Sequence, residues 1–112
     1  MKKSILLNRD FNNLTYKEFK NLMKTYLDLT ILISAFDNMH QLPHLHMDKN
    51  EQSAILDLIN LEFIEAPDRE KDKFELVRKI LNKAPKLVEK LISLFCEKNS
   101  TLGYCKNKNS EN

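Results

Sequence analysis

Residues 48–61 read Asp48-Lys49-Asn50-Glu51-Gln52-Ser53-Ala54-Ile55-Leu56-Asp57-Leu58-Ile59-Asn60-Leu61, and the conformation of this run settles the fold class. Asp48-x-x-Glu51 has the form of a helix N-cap with its reciprocal partner three residues on. Behind it Ala54, Ile55, Leu58, Ile59 and Leu61 recur at helical spacing and give one apolar face. The run predicts a helix. Phe63 and Ile64 carry the apolar content on toward Pro67.

The same period recurs on both sides. Thr15-x-x-Glu18 is a capping box, and Phe19, Leu22, Met23, Tyr26, Leu29, Ile33 and Phe36 follow at helical spacing. One long helix is expected from Thr15 to Gln41, ended by Pro43, because the residue before a proline avoids the helical region. Pro67-Asp68 would open a further helix, with Asp68, Glu70 and Asp72 at the positive end of its dipole and Phe74, Val77, Ile80 and Leu81 buried. Residues 82–85 form a short break. Pro85 then starts a last helix with Leu87, Val88, Leu91, Leu94 and Phe95 inward, running to about Glu97–Asn99.

Composition agrees with this reading. The 112 residues are 42% apolar and 30% charged, enough for one domain with a modest core. Gly103 is the only glycine, and tight turns between strands usually need residues of positive φ. The expected fold is all-α, a compact antiparallel bundle of four to six helices over residues 14–104. An N-terminal segment 1–13 and a disordered tail 105–112 flank it. Two cysteines are too few to staple a fold, and Cys96 falls in an apolar helical pattern as a buried thiol. Met1–Leu7 has two lysines but an apolar run of only three residues, so no signal peptide is expected there. The apolar-rich stretch Leu27–Phe36 is too short to span a bilayer, so a cytoplasmic protein with no membrane partner is expected.

Charge is sorted along the chain. Residues 48–75 hold nine acids against four bases, and residues 76–108 hold eight bases against two acids, within a total of +2. Two such molecules can meet acid to base, which points to protein association. The candidate basic residues are Lys17, Lys20, Lys24, Arg78, Lys79, Lys83, Lys86 and Lys90. The candidate acidic residues are Asp48, Glu51, Asp57, Glu62 and Glu65. Lys79, Lys83, Lys86 and Lys90 would form one ridge, but no aromatic is interleaved for base stacking and the acidic run would repel a phosphate backbone, so nucleic acid is not expected.

All three histidines, His40, His44 and His46, lie in one window and are the candidate metal ligands. Pro43 breaks the helical face that would align the first two, and no further ligand motif accompanies them. No metal or other cofactor is expected. Neither a nucleophile elbow nor a glycine-rich phosphate loop is present, so no catalytic residue and no small-molecule substrate are assigned.

The segment Arg69-Glu70-Lys71-Asp72-Lys73-Phe74-Glu75-Leu76-Val77-Arg78-Lys79-Ile80-Leu81, the break at 82–85, and Lys86-Leu87-Val88-Glu89-Lys90-Leu91-Ile92-Ser93-Leu94-Phe95 together resemble the second half of a caspase recruitment domain, a member of the death-fold superfamily. The resemblance covers residues 68–104. It implies six helices, no chemistry, and homotypic assembly as an adaptor in apoptosis or innate immune signalling. The family's basic positions would fall among Lys17, Lys20, Lys24, Arg78 and Lys79, and its acidic positions at Asp37, Asp48, Glu51 and Asp57. Taken together, these readings predict a non-enzymatic module that binds a protein partner, a second copy included. The alternatives are a small bacterial or phage helical inhibitor or immunity protein, and a metal- or nucleic-acid-binding helical protein.

Overall fold

The computed structural model describes residues 6–34 and 42–110. Helix α1, Tyr16–Leu27, begins as the capping box requires. The Glu18 N–H donates to the Thr15 hydroxyl (3.1 Å), and the Thr15 N–H donates to the Glu18 carboxylate (3.0 Å). Hydrogen bonds to its carboxylate from the Thr15 N–H, first, and then from the Thr15 hydroxyl hold the Glu18 carboxyl below its ordinary range. Their contribution is present above the ordinary glutamate pKa and is lost as acid protonates the group.

Helix α1 is much shorter than expected. Asp28 takes the left-handed conformation (φ 51°) and closes it, its N–H donating to the carbonyl of Lys24. Aspartate tolerates that conformation better than most residues. The chain then enters strand β1, Thr30–Leu32. The remainder of the expected helix, from Ala35 to Gln41, lies outside the described residues.

The all-α expectation is overturned between residues 44 and 65. Strands β2 (His44–Lys49), β3 (Gln52–Asp57) and β4 (Glu62–Glu65) join β1 in a four-stranded antiparallel meander of order β1-β2-β3-β4. The bundle and the death-fold architecture implied by the resemblance are therefore both corrected. Register explains the choice. Ile31 faces Met47, which faces Ala54, and Leu45 faces Leu56, which faces Phe63. All but Phe63 are fully buried, so one sheet face is apolar across every strand.

Asp48-x-x-Glu51 is not a helix cap. Asp48 lies in β2, and its carboxylate accepts a hydrogen bond from the Ser53 hydroxyl across the hairpin. Asn50 and Glu51 form the two-residue turn, with φ of 49° and 67°. Two consecutive positive φ values suit the twist of a tight hairpin. Asparagine adopts the first readily; glutamate at the second is strained. Glu51→Gly is therefore expected to raise stability by up to about 1 kcal/mol, the relief of strain exceeding the entropy that glycine loses. In a helix the same change would lower stability by a similar amount. The sign of the shift in a chemical-denaturation midpoint separates the two conformations.

The β3–β4 connection is held by Asp57. Its carboxylate accepts from the N–H groups of Ile59 (2.7 Å) and Asn60 (3.3 Å) and from the Asn60 side chain (3.2 Å). This is the local turn chemistry that aspartate supplies. Leu61 completes the loop at φ 54°.

The C-terminal half matches expectation more closely. Helix α2, Lys71–Asn82, buries Phe74, Leu76, Val77, Ile80 and Leu81. It starts later than Pro67-Asp68 suggested: Glu70 is its N-cap in the left-handed conformation, and only Asp72 of the three acids lies in the first turn. Helix α3, Pro85–Lys98, opens with its proline at the first position and buries Leu87, Leu91, Ile92, Phe95 and Cys96. These side chains share one core with Phe19, Met23, Ile31, Leu45, Met47 and Leu56, so the helices cover the apolar face of the sheet. Leu6 and Phe11, ahead of α1, belong to the same core. Helix α4, Gly103–Ser110, follows a short loop.

Cys96 is not a free thiol. It is bridged to Cys105, nine residues on, with Cα atoms 5.1 Å apart and both residues buried. Among the described residues, no helix is long and apolar enough to cross a membrane.

Candidate interaction surfaces

Folding turns a polarity along the sequence into one between layers. Residues 44–65, which hold β2 to β4, carry five acids (Asp48, Glu51, Asp57, Glu62, Glu65) against Lys49, a net of −4. Residues 71–98, which hold α2 and α3, carry eight bases against four acids, a net of +4. Helix α1 adds three lysines against Glu18.

The acidic candidates are not equivalent. Asp57 is buried and its carboxylate is committed to the β3–β4 turn, so it is a structural group. Asp48, Glu51, Glu62 and Glu65 are exposed. Pleat alternation sets Leu32, His46 and Ile55 in one row on the face opposite the core, with Thr30, Asp48 and Ser53 in the next. Leu32 is 43% exposed, and Ile64, between Glu62 and Glu65 on β4, is 40% exposed. Neither isoleucine nor leucine was singled out by the charge argument. For Ile64 the sequence signal is local: the apolar pair Phe63-Ile64 is set between two glutamates.

The basic candidates divide in the same way. Arg78 Nε donates to the Glu75 carboxylate at 2.9 Å, and that hydrogen bond holds the Glu75 carboxyl below its ordinary range. Lys24 Nζ lies 3.0 Å from the Asp28 carboxylate. Lys17, Lys79 and Lys83 are exposed on the helices. Lys86 and Lys90 line a shallow groove of about 610 Å³ between α1 and α3, together with Tyr16, Glu89, Ser93, Leu94 and Glu97. Lys20 Nζ sits 5.8 Å from the centre of the Tyr16 ring, adding a third cation beside it. The structure therefore gathers Lys20, Lys86 and Lys90 around Tyr16.

Lys90 has a second role. Its Nζ donates to the carbonyls of Asn12 (3.1 Å) and Leu14 (3.0 Å), and the Lys86 N–H donates to the Asn12 side chain (3.0 Å). The segment ahead of α1 is thus fastened to the start of α3, and the Lys90 charge is held in place.

His40 lies outside the described residues. His44 is buried, its Nδ1 2.8 Å from the Leu42 carbonyl and its ring 5.1 Å from those of Phe95 and His46. Among the described residues, no group of three or more His, Cys, Asp or Glu side chains is placed to hold a metal ion. Both cysteine sulfurs are engaged in the bridge.

The sheet and helices define a small α+β protein with an acidic, partly apolar sheet surface and a helical groove bordered by lysines and glutamates. No family model matches this chain, and no curated protein or solved structure is significantly similar to it.

Proposed function

We propose that this chain is a non-enzymatic protein–protein interaction module whose acidic sheet and basic helices pair with the opposite surfaces of a second copy. The observation that carries this reading is the partition of charge, −4 on β2 to β4 and +4 on α2 and α3. Complementary potentials of this kind steer encounter and select the partner. Single exposed ion pairs contribute only about 0–1 kcal/mol, so the contact needs several of them and some apolar burial. Exposed Leu32 and Ile64 supply that on the acidic side.

The Cys96–Cys105 bridge supports an oxidising compartment as the place of action, since bridges of this kind persist there and are rare where thiols are kept reduced. This departs from the cytoplasmic expectation.

Static light scattering at rising concentration tests the reading. At low salt the mass should exceed that of one chain, and it should fall to one chain as salt screens the charges. Lys83→Glu with Lys86→Glu should stay monomeric under both conditions. A parent chain that remains monomeric at millimolar concentration and low salt would contradict the reading.

A further inference from the structure

We infer that copies join head to tail, the β4 edge of one seated in the α1–α3 groove of the next, so that assembly is open-ended. This rests on the homotypic reading above and adds its geometry. A closed two-fold contact needs one patch that is complementary to itself, with both signs of charge on it. Here the groove lies toward one edge of the sheet, where the Ile33 N–H just after β1 donates to the Tyr16 hydroxyl (3.2 Å), and β4 is the opposite edge. The groove is lined by residues of α1 and α3 with none from the sheet, whereas Glu62, Ile64 and Glu65 belong to an edge strand whose neighbour is β3. A surface and its complement on separate faces of one molecule make a heterologous contact, which propagates unless its rotation happens to close a ring.

The two faces also match in detail. Strand β4 offers an exposed apolar side chain, Ile64, between two exposed carboxylates. The groove offers two half-buried apolar side chains, Tyr16 and Leu94. Lys86 and Lys90 line it with Glu89 and Glu97, and Lys20, beside Tyr16, tips this balance to three cations against two carboxylates. Lys90 is already fixed by Asn12 and Leu14, so no side-chain freedom is lost in presenting its charge. Glutamates on an edge strand also disfavour pairing of one β4 with another, because like charges would then face each other. That leaves the groove as the partner for this edge.

Sedimentation velocity on two full-length variants tests the inference. Glu62→Gln with Glu65→Gln removes the acidic side; Lys20→Gln with Lys86→Gln removes the basic side. All four positions lie at least partly at the surface, and far-UV circular dichroism checks that each variant folds. The parent should grow beyond two chains with concentration. Each variant alone should associate roughly tenfold more weakly, and an equimolar mixture should stop at two chains, because only one productive junction remains. A parent that saturates at two chains overturns the open-ended contact while leaving homotypic association intact. A parent that never associates overturns both. An associating parent whose two variants fail to combine overturns the pairing of β4 with this groove.

Discussion

A chain carrying Cys96→Ala and Cys105→Ala is expected to lose roughly 2–3 kcal/mol of stability, read as a lower denaturation midpoint. The bridge closes a short loop, nine residues apart in sequence, and constrains the unfolded chain accordingly. The folded side of the balance points the same way. Helix α4 reads Gly103-Tyr104-Cys105-Lys106-Asn107-Lys108-Asn109-Ser110, in which Tyr104 and Cys105 are the only apolar residues. Leu102, just before it, is buried as well. So little apolar surface cannot hold an eight-residue helix in place, and such helices are marginal alone in water. Breaking the bridge should therefore release α4 before the rest unfolds, seen as loss of amide protection at Lys106 and beyond. Reductant should reproduce the effect in the parent and leave the double variant unchanged. Equal stability of the two chains would show that the bridge contributes nothing.

Phe95→Ala should be more damaging, by about 3–5 kcal/mol, through lost burial and the cavity left behind. Phe95 is fully buried on α3 and joins three parts of the molecule. Its ring meets His44 at the start of β2, its carbonyl accepts from the Asn99 side chain (3.0 Å), and the next residue carries the bridge. The same Asn99 side chain donates to the carbonyl of Ser34 (2.9 Å), just after β1. Truncation of the ring thus loosens the sheet's attachment to the helices as well as the core. Phe95→Leu, which keeps most of the volume, should cost clearly less. A loss below 1 kcal/mol for the alanine variant, measured by denaturant unfolding, would contradict the packing described.

The helices were legible because their signals have one meaning. Thr15-x-x-Glu18 caps α1, Pro85 opens α3, and Phe74, Val77, Ile80 and Leu81 define the inner face of α2. The sheet was not legible because its letters fit two periods. Ala54, Ile55, Leu58 and Ile59 make a helical face, yet Ala54, Leu56 and Leu58 equally alternate, and those are the three that are fully buried. Short apolar runs do not distinguish the two. Glycine misled as well. A chain whose only glycine is Gly103 offers few residues suited to sheet turns, but it makes its reversals with Asp28, Asn50, Glu51 and Leu61 at positive φ.

Of the candidate surface, the contrast of charge was readable and its assignment to residues was only partly so. Asp57 looks like any exposed acid until the β3–β4 turn consumes its carboxylate, and Arg78 like any free base until Glu75 takes it. Lys20, Lys86 and Lys90 converge only because α1 packs beside α3, a contact between segments some seventy residues apart that no local pattern encodes.

Everything proposed for the acidic surface depends on residues 44–65 being a sheet. Nuclear Overhauser contacts across that segment test this most directly. The structure predicts cross-strand contacts between Met47 and Ala54 and between Leu45 and Leu56, with extended-chain carbon shifts from His44 to Lys49 and from Gln52 to Asp57. Contacts between residues three apart through 51–61, with helical shifts and no cross-strand contacts, would contradict it and return the chain to a helical bundle.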